Sequence, residues 1–197
     1  YLRDVAEQAG IATASIRMGD IGWHERQNVF VDESGHPMSS VFKLYPWEFL
    51  WNDAFAANAL SVRDRMHWIE PAWKMVLSNK GILPILWELE PRHPNLLEAY
   101  FDDPRDMHSF VRKPMLSREG ANVAVVTGAD CPWLTGGEYG DGRWVYQALA
   151  ALPEFDGNYP VIGSWVIDGD AAGMGIREAN TPITDNTSRF VPHLFEG

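Results

Sequence analysis

The most constraining feature of this sequence is a change in local pattern about halfway along the chain. Between Tyr45 and Tyr100, apolar residues recur at helical spacing, but Pro71 and Pro84 interrupt the pattern, which predicts several short helices. From Phe110 onward, β-branched and aromatic residues form strand-like runs, separated by glycine-containing breaks, at 122–126, 143–147 and 160–168. A helical part followed by a strand-rich part predicts an α+β fold.

The residues before Tyr45 predict a helix followed by two strands. Apolar side chains at positions 2, 5, 6 and 9 share a helical face, and Gly10 is typical of a helix end. Strands are predicted at 12–17 and 28–31, with a turn at 32–35. The sequence has no initiator methionine and enters the helix at once, so we expect it to begin inside a domain.

Charge and composition exclude several classes of protein. The 197 residues suffice for one core or for two small lobes that share a cleft. A net charge of -11 argues against a nucleic-acid partner, and the lack of a long apolar run argues against a membrane partner. A single cysteine and the lack of a signal-peptide pattern favour a cytoplasmic location. The oligomeric state is not encoded in any pattern we recognise.

The first candidate site is the short segment from Ser117 to Asn122, which lies between a strand-like stretch at 111–114 and the predicted strand at 122–126. A glycine-containing hairpin loop can surround an anion with backbone N–H groups. The segment lacks the Gly-Lys-Ser/Thr ending of a Walker loop, and an ordinary turn is the alternative. Its candidate residues are Arg118, Glu119, Gly120, Ala121 and Asn122.

Three cations form the second group of candidates. Lys80 and Lys113 lie in strongly apolar stretches, where a lysine either extends to the surface or points into a cleft to neutralise phosphate. Arg177 follows the glycine pair Gly173 and Gly175, which lets a strand approach a ligand closely. The alternative for Arg177 is a bulged strand with a surface ion pair.

Taken together and in order, these segments resemble the glutathionylspermidine synthase family of ATP-grasp ligases. Each motif is weak alone, but the ordered set covers essentially the whole chain and is specific. The matching segments are 42–48 (FKLYPWE), 69–74 (IEPAWK), 78–80 (SNK), 82–87 (ILPILW), 111–114 (VRKP), 117–122 (SREGAN), 145–147 (VYQ), 159–165 (YPVIGSW) and 173–178 (GMGIRE).

The resemblance implies an ATP-grasp fold over residues 42–197, with residues 1–41 as the remainder of an upstream pre-ATP-grasp-like region. It implies that Lys80 and Lys113 contact ATP and that the loop at 118–122 folds over the phosphates. It also implies that Gln147 lies on the adenine side and that Arg177 faces the transferring phosphoryl group.

The implied activity is an ATP-dependent ligation of a small carboxylate to a small amine through an acyl phosphate, with Mg²⁺. The family's metal ligands lie upstream of Tyr1, so Mg²⁺ ligands are expected outside this sequence, and surface roles are expected for Glu178 and Asn186. The chain alone is therefore expected to bind nucleotide poorly and to lack turnover. The main alternative is a non-catalytic or degenerate nucleotide-binding module of the same fold. A Trp-rich sugar-binding protein is a third hypothesis, although the positions of the tryptophans favour core packing.

Overall fold

The computed structural model describes residues 1–195, which form two compact units. Unit 1 runs from Tyr1 to Val76, and unit 2 begins at Leu77. Both contain helices and strands, so the predicted α+β class is confirmed. Within the described residues, no helix is both long and apolar enough to cross a bilayer.

Unit 1 contains short helices and two separate strand pairs. β1 and β2 are antiparallel, whereas β3 and β4 are parallel. The helices are α1 (Leu2–Gln8), α2 (Trp47–Leu50), α3 (Ala56–Ser61) and α4 (Met75–Ser78), which crosses the unit boundary; the strands are β1 (Gly22–His24), β2 (Val29–Val31), β3 (Ser40–Phe42) and β4 (His67–Ile69).

The core of unit 1 forms around aromatic side chains. The Phe30 ring lies 4.9 Å from the Trp23 ring and 6.0 Å from the Trp68 ring, both edge-on. Such edge-on pairs add to the free energy gained by burying aromatic area. The buried members of this core are Phe30, Trp47, Leu50, Ala59, Val62 and Met66.

Within residues 77–195, unit 2 contains one complete helix and two antiparallel sheets. The larger sheet has the strand order β5-β9-β6-β7-β8, and the smaller has the order β10-β11-β12. The helix is α5 (Ile82–Leu89), and the strands are β5 (Ala99–Phe101), β6 (Ser109–Pro114), β7 (Ala124–Thr127), β8 (Asp130–Leu134), β9 (Trp144–Ala148), β10 (Tyr159–Ile167), β11 (Asp170–Ala179) and β12 (Arg189–Val191).

The central strands of the larger sheet carry the β-branched residues that the sequence pattern indicated. Val145 on β9 is completely buried between β5 and β6, and helix α5 packs against β5 and β9. The predicted strands at 122–126, 143–147 and 160–168 are confirmed to within two residues.

The predicted strand at 12–17 is wrong. The structure has no strand between residues 11 and 17, and most of their side chains are exposed. These residues lie instead beside α1, where the Thr13 hydroxyl donates to Glu7 at 3.1 Å and Arg3 donates to the Ser15 hydroxyl. Because the segment has few apolar side chains to bury, it gains little from joining a sheet.

The helical prediction for 45–100 is confirmed only in part, since β4 and β5 interrupt it. Of the nine tryptophans, Trp47 is buried, whereas Trp73 and Trp165 are 63% and 65% exposed. The others are half-buried, so the expectation of core packing applies fully to Trp47 alone. The predicted boundary after residue 41 separates two regions of the family's fold, whereas the two units are defined by compactness. That boundary stays a prediction.

Candidate functional site

A cavity of about 400 Å³ lies against one face of the larger sheet of unit 2. Val111 is directly paired with both Gln147 and Val125 in neighbouring strands, so these three side chains point to the same face. Lys113 lies two residues beyond Val111 on β6 and therefore shares that face. All four line the cavity, whose size and mostly apolar wall are typical of a small-molecule site.

Lys113 and Gln147 form a polar pair within this cavity. The Lys113 Nζ donates to Gln147 Oε1 at 2.8 Å. Burial lowers the pKa of Lys113, because removal from water disfavours the charged ammonium. An ammonium has three donors, and within residues 1–195 Gln147 is the acceptor that the structure gives it, so two donors remain for a ligand.

The predicted hairpin loop at 117–122 is confirmed, since it connects the antiparallel strands β6 and β7. Glu119, Gly120 and Asn122 all have positive φ angles, which give the loop a tightly curved backbone. The Asn122 side chain fixes one end, because its Oδ1 accepts from Tyr139 N at 2.9 Å. Thr135 Oγ1 fixes the middle by donating to the Gly120 carbonyl at 2.6 Å.

Two backbone N–H groups of this loop are already used. Ala121 N donates to Arg118 O at 2.9 Å, and Asn122 N donates to Gly136 O at 3.1 Å. Among residues 1–195, no acceptor is assigned to the N–H groups of Glu119 and Gly120. Successive free N–H groups in a curved backbone can bind an anion.

Lys80 is tied to the beginning of the same loop. Its Nζ donates to the Ser117 carbonyl at 2.7 Å and to the Ser117 hydroxyl at 2.9 Å. Lys80 and Lys113 are therefore both half-buried with internal partners, and the alternative that they extend to the surface is wrong. The two lysines differ in position, because Lys113 lines the cavity and Lys80 does not.

Arg177 lies in the middle strand of the smaller sheet, directly paired with Val161 and Phe190. Its Nη2 donates to the Asp185 carbonyl, and its guanidinium carbon lies 5.4 Å from the centre of the Phe190 ring. The Nε is buried without a hydrogen-bond partner among the described residues. The alternative for Arg177 combined a bulge with a surface ion pair. The bulge is present, opposite Trp165 and Val166 of β10, whereas Arg177 forms no ion pair within residues 1–195.

The segment 181–188 connects these parts of the site. Ile183 is only 7% exposed and lines the cavity together with Pro182. Gly120 lies so close to this segment that an added Cβ would stand 2.7 Å from the Thr184 carbonyl oxygen. Asp185 in turn holds Arg177. The cavity, the loop and Arg177 therefore all contact one segment.

Of the segment 181–188, only Asn186 was named from the sequence, and only with an expected surface role. A local signal existed, because Asp185 followed by Thr187 and Ser188 is typical of a turn closed by side-chain hydrogen bonds. That signal predicts a turn, but it does not say what the turn packs against. Thr135 was missed for the same reason, since its contact with Gly120 spans fifteen residues.

The described residues do not fit a magnesium site. Within residues 1–195, no group of three or more His, Cys, Asp or Glu side chains could hold a metal ion. Glu178 is half-buried on β11, and Asn186 is exposed. The expectation of Mg²⁺ ligands elsewhere in the protein stays a prediction.

The cysteine of this chain lies beside the cavity. Cys131 is exposed on β8, and it is followed by Pro132 and Trp133, which both line the cavity. It is the single cysteine of the sequence.

The chain is similar to a known protein family over nearly its whole length. The family model described as "Glutathionylspermidine synthase preATP-grasp" matches residues 1–196. The chain belongs to the glutathionylspermidine synthase family. This confirms the resemblance drawn from the ordered motifs.

Curated relatives of the family match nearly the full chain. A "Putative acid–amine ligase" of Haemophilus influenzae is 45% identical over 99% of this chain and 51% of its own length. The trypanothione synthetase of Crithidia fasciculata is 30% identical over 96% of this chain and 33% of its own length. The bifunctional glutathionylspermidine synthetase/amidase of Escherichia coli is 26% identical over 98% and 35%, respectively. The chain thus spans about half or less of each relative's length.

Proposed function

We propose that this chain carries the nucleotide-binding part of an ATP-dependent ligase that joins a small carboxylate to a small amine. The observation that carries the proposal is the Lys113–Gln147 pair in an apolar cavity, with the 117–122 loop and Arg177 joined to it through one segment. The names of the curated relatives support it. We further propose an ATP-grasp fold for residues 42–197 and a cytoplasmic location.

ATP is the proposed substrate of the cavity. The walls formed by Val111, Val125 and Trp133 suit a purine ring, which gains free energy from apolar and aromatic contact. Gln147 supplies an amide that can donate and accept hydrogen bonds at the edge of the base. Lys113 supplies the positive charge, and the free N–H groups of Glu119 and Gly120 supply donors for the phosphates.

The proposed reaction has two steps, and neither needs a covalent enzyme nucleophile. A carboxylate oxygen attacks the γ-phosphorus, the bond from that phosphorus to the β–γ bridging oxygen breaks, and ADP leaves. The amine nitrogen then attacks the acyl carbon of the acyl phosphate, inorganic phosphate leaves, and the nitrogen loses a proton to give the amide. Positioning and electrostatic stabilisation supply the catalysis.

Arg177 is the proposed catalytic residue. Charge spreads over the oxygens of the phosphoryl group as it transfers, and a fixed guanidinium stabilises that charge more strongly in the transition state than in the ground state. Arginines in this role contribute roughly 10³–10⁵-fold in rate. Lys80, which bonds to Ser117, would hold the beginning of the phosphate loop.

The test is ADP release by the intact protein with ATP, Mg²⁺ and a mixture of small acids and amines. Release should require both substrate classes, and Lys113→Ala and Arg177→Ala should each reduce it strongly. Arg189→Ala is the matched control, because Arg189 is an exposed arginine of the same small sheet. Unchanged ADP release in both site variants would overturn the assignment.

A protein that binds ATP but never releases ADP would instead be a nucleotide-binding module. Nucleotide binding, measured by calorimetry beside the ADP assay, separates the two.

A further inference from the structure

We propose that Asp185 is a positioning residue whose side chain closes a turn, and that the carbonyl of this turn holds the Arg177 guanidinium in place. The inference rests on the proposed function, in which Arg177 faces the transferring phosphoryl group. It adds a residue that acts through Arg177 and does not itself touch the substrate.

The turn is closed by reciprocal hydrogen bonds between Asp185, Thr187 and Ser188. Asp185 Oδ1 accepts from Thr187 N and from Thr187 Oγ1, both at 2.7 Å. Ser188 Oγ accepts from Asp185 N at 2.9 Å, and Ser188 is only 8% exposed. Hydrogen bonds to the carboxylate, first from the Thr187 side chain and then from the Thr187 backbone, lower the pKa of Asp185, so the carboxylate is ionised near neutral pH.

The main-chain carbonyl of this turn, rather than its carboxylate, contacts Arg177. Arg177 Nη2 donates to Asp185 O, and the guanidinium packs over Phe190. Both contacts fix the orientation of the guanidinium without neutralising its charge. Within residues 1–195 Arg177 forms no ion pair, so its positive charge stays available to a phosphoryl group.

The turn directly follows the residues that contact the 117–122 loop and the cavity. Thr184, which precedes Asp185, is the residue whose carbonyl lies against Gly120, and Ile183 lines the cavity. The carbonyl that lies against Gly120 and the carbonyl that accepts from Arg177 therefore belong to consecutive residues, and the turn closed at Asp185 fixes their relative orientation. Loosening the turn should displace the guanidinium relative to the loop.

Two substitutions separate positioning from a direct charge effect. Asp185→Asn keeps an oxygen at the Oδ1 position and so keeps the turn, whereas Asp185→Ala removes the acceptor. We expect Asp185→Ala to lower kcat about 100-fold, the order expected for a small misplacement of a catalytic group, with less effect on the KM for ATP. Asp185→Asn should stay within about threefold of wild type, because little beyond the carboxylate charge is lost.

Equal losses in Asp185→Asn and Asp185→Ala would overturn the proposal, since they would assign the role to the charge. The double variant of Asp185→Ala and Arg177→Ala should be no slower than Arg177→Ala alone, because both remove the same interaction. A multiplicative loss would also overturn the proposal.

A second measurement does not depend on activity. The Nε–Hε signal of Arg177 in ¹⁵N NMR of the intact protein, identified by its absence from Arg177→Ala, should be protected from solvent exchange in wild type and in Asp185→Asn. It should lose protection in Asp185→Ala. If wild type shows no ADP release, the proposed function fails, while this signal still tests the turn.

An Arg177 signal that is unchanged in Asp185→Ala would overturn the positioning role whatever the kinetics. If Asp185→Ala does not fold, Ser188→Ala replaces it, because it removes the acceptor of the Asp185 N–H and leaves the carboxylate in place. Protection of the Arg177 signal should then fall relative to wild type, and full protection would count against the proposal.

Discussion

Lys113 is a cation in the apolar wall of the cavity. Its burial disfavours the charged ammonium, and the same burial directs that charge at the proposed ATP site. Lys113→Met removes the charge and keeps a similar length. We expect the affinity for ATP to fall roughly 10- to 100-fold, because a hydrogen bond to a charged group contributes about 1.5–3 kcal/mol. Calorimetry with ATP measures this, with Lys74→Met in unit 1 as the control lysine. An unchanged affinity would contradict the placement of phosphate near Lys113.

Wild type and Lys113→Met should differ in how the free energy of unfolding depends on pH. Burial lowers the pKa of Lys113 in the folded protein, so the unfolded chain binds more protons between the folded and the unfolded pKa. In that window the free energy of unfolding of wild type rises with pH. Relative to Lys113→Met, wild type should therefore become more stable as pH rises toward the usual pKa of lysine. Urea unfolding at a series of pH values tests this, and a parallel dependence in both proteins would contradict it.

At the residue scale, the sequence identifies chemical types but not their partners. Lys113 stands out as a cation in an apolar stretch, and Arg177 stands out as a cation just beyond a glycine pair. Their partners Gln147 and Asp185 lie 34 and 8 residues away and depend on how strands and turns pack. Gln147 entered the prediction through the family resemblance and not through any local pattern.

Among the elements, the loop between β6 and β7 has no room for a side chain at Gly120, because the segment 181–188 packs against it. Gly120 has a φ of +71°, and an added Cβ would stand 2.7 Å from Thr184 O, so Gly120→Ala suffers both backbone strain and a clash. The strain alone costs about 1–2 kcal/mol. Gly157→Ala is the matched control, because Gly157 has a φ of +78° with nothing within 4 Å of the added Cβ.

Thermal unfolding should show a larger loss of stability for Gly120→Ala than for Gly157→Ala, and ATP binding should weaken only in Gly120→Ala. Equal losses would mean that the loop yields to the clash without cost.

Strand pairs formed by neighbouring segments of the chain were predictable from the sequence, whereas pairs formed by distant segments were not. The β6–β7 hairpin was predicted because strand, glycine-containing loop and strand follow one another directly. The parallel pairing of β3 with β4 brings together residues 27 positions apart, such as Val41 and Trp68, and local spacing in that region indicated helix. The absent strand at 12–17 shows the converse, since a strand-like pattern whose one large apolar side chain is Ile16 found no partner.

For the molecule as a whole, the two compact units predict different responses to core substitutions. Phe30→Ala in unit 1 should cost about 3–5 kcal/mol. Hydrogen exchange should rise mainly within residues 1–76, because the ring contacts of Phe30 are with Trp23, Phe55 and Trp68, all of unit 1. The control is Val145→Ala, which empties the buried centre of the larger sheet of unit 2. An equal rise over both units in each variant would mean that they unfold together.

The fold class was predictable at this scale, and the division into units was not. Helical spacing followed by strand runs indicated an α+β chain, because the two periodicities are properties of local sequence. The division between Val76 and Leu77 depends instead on which residues are in contact across long stretches of chain. No composition shift at those residues reveals it.

Cys131 is a site at which a fluorescent label could report nucleotide binding. A thiol-reactive dye would attach at one position only, because the sequence holds a single cysteine and its side chain is exposed. The next two residues, Pro132 and Trp133, line the cavity, so a dye at Cys131 would sense a change in polarity there as a ligand enters. The natural sequence thus offers one attachment point for a fluorescent reporter beside its candidate site.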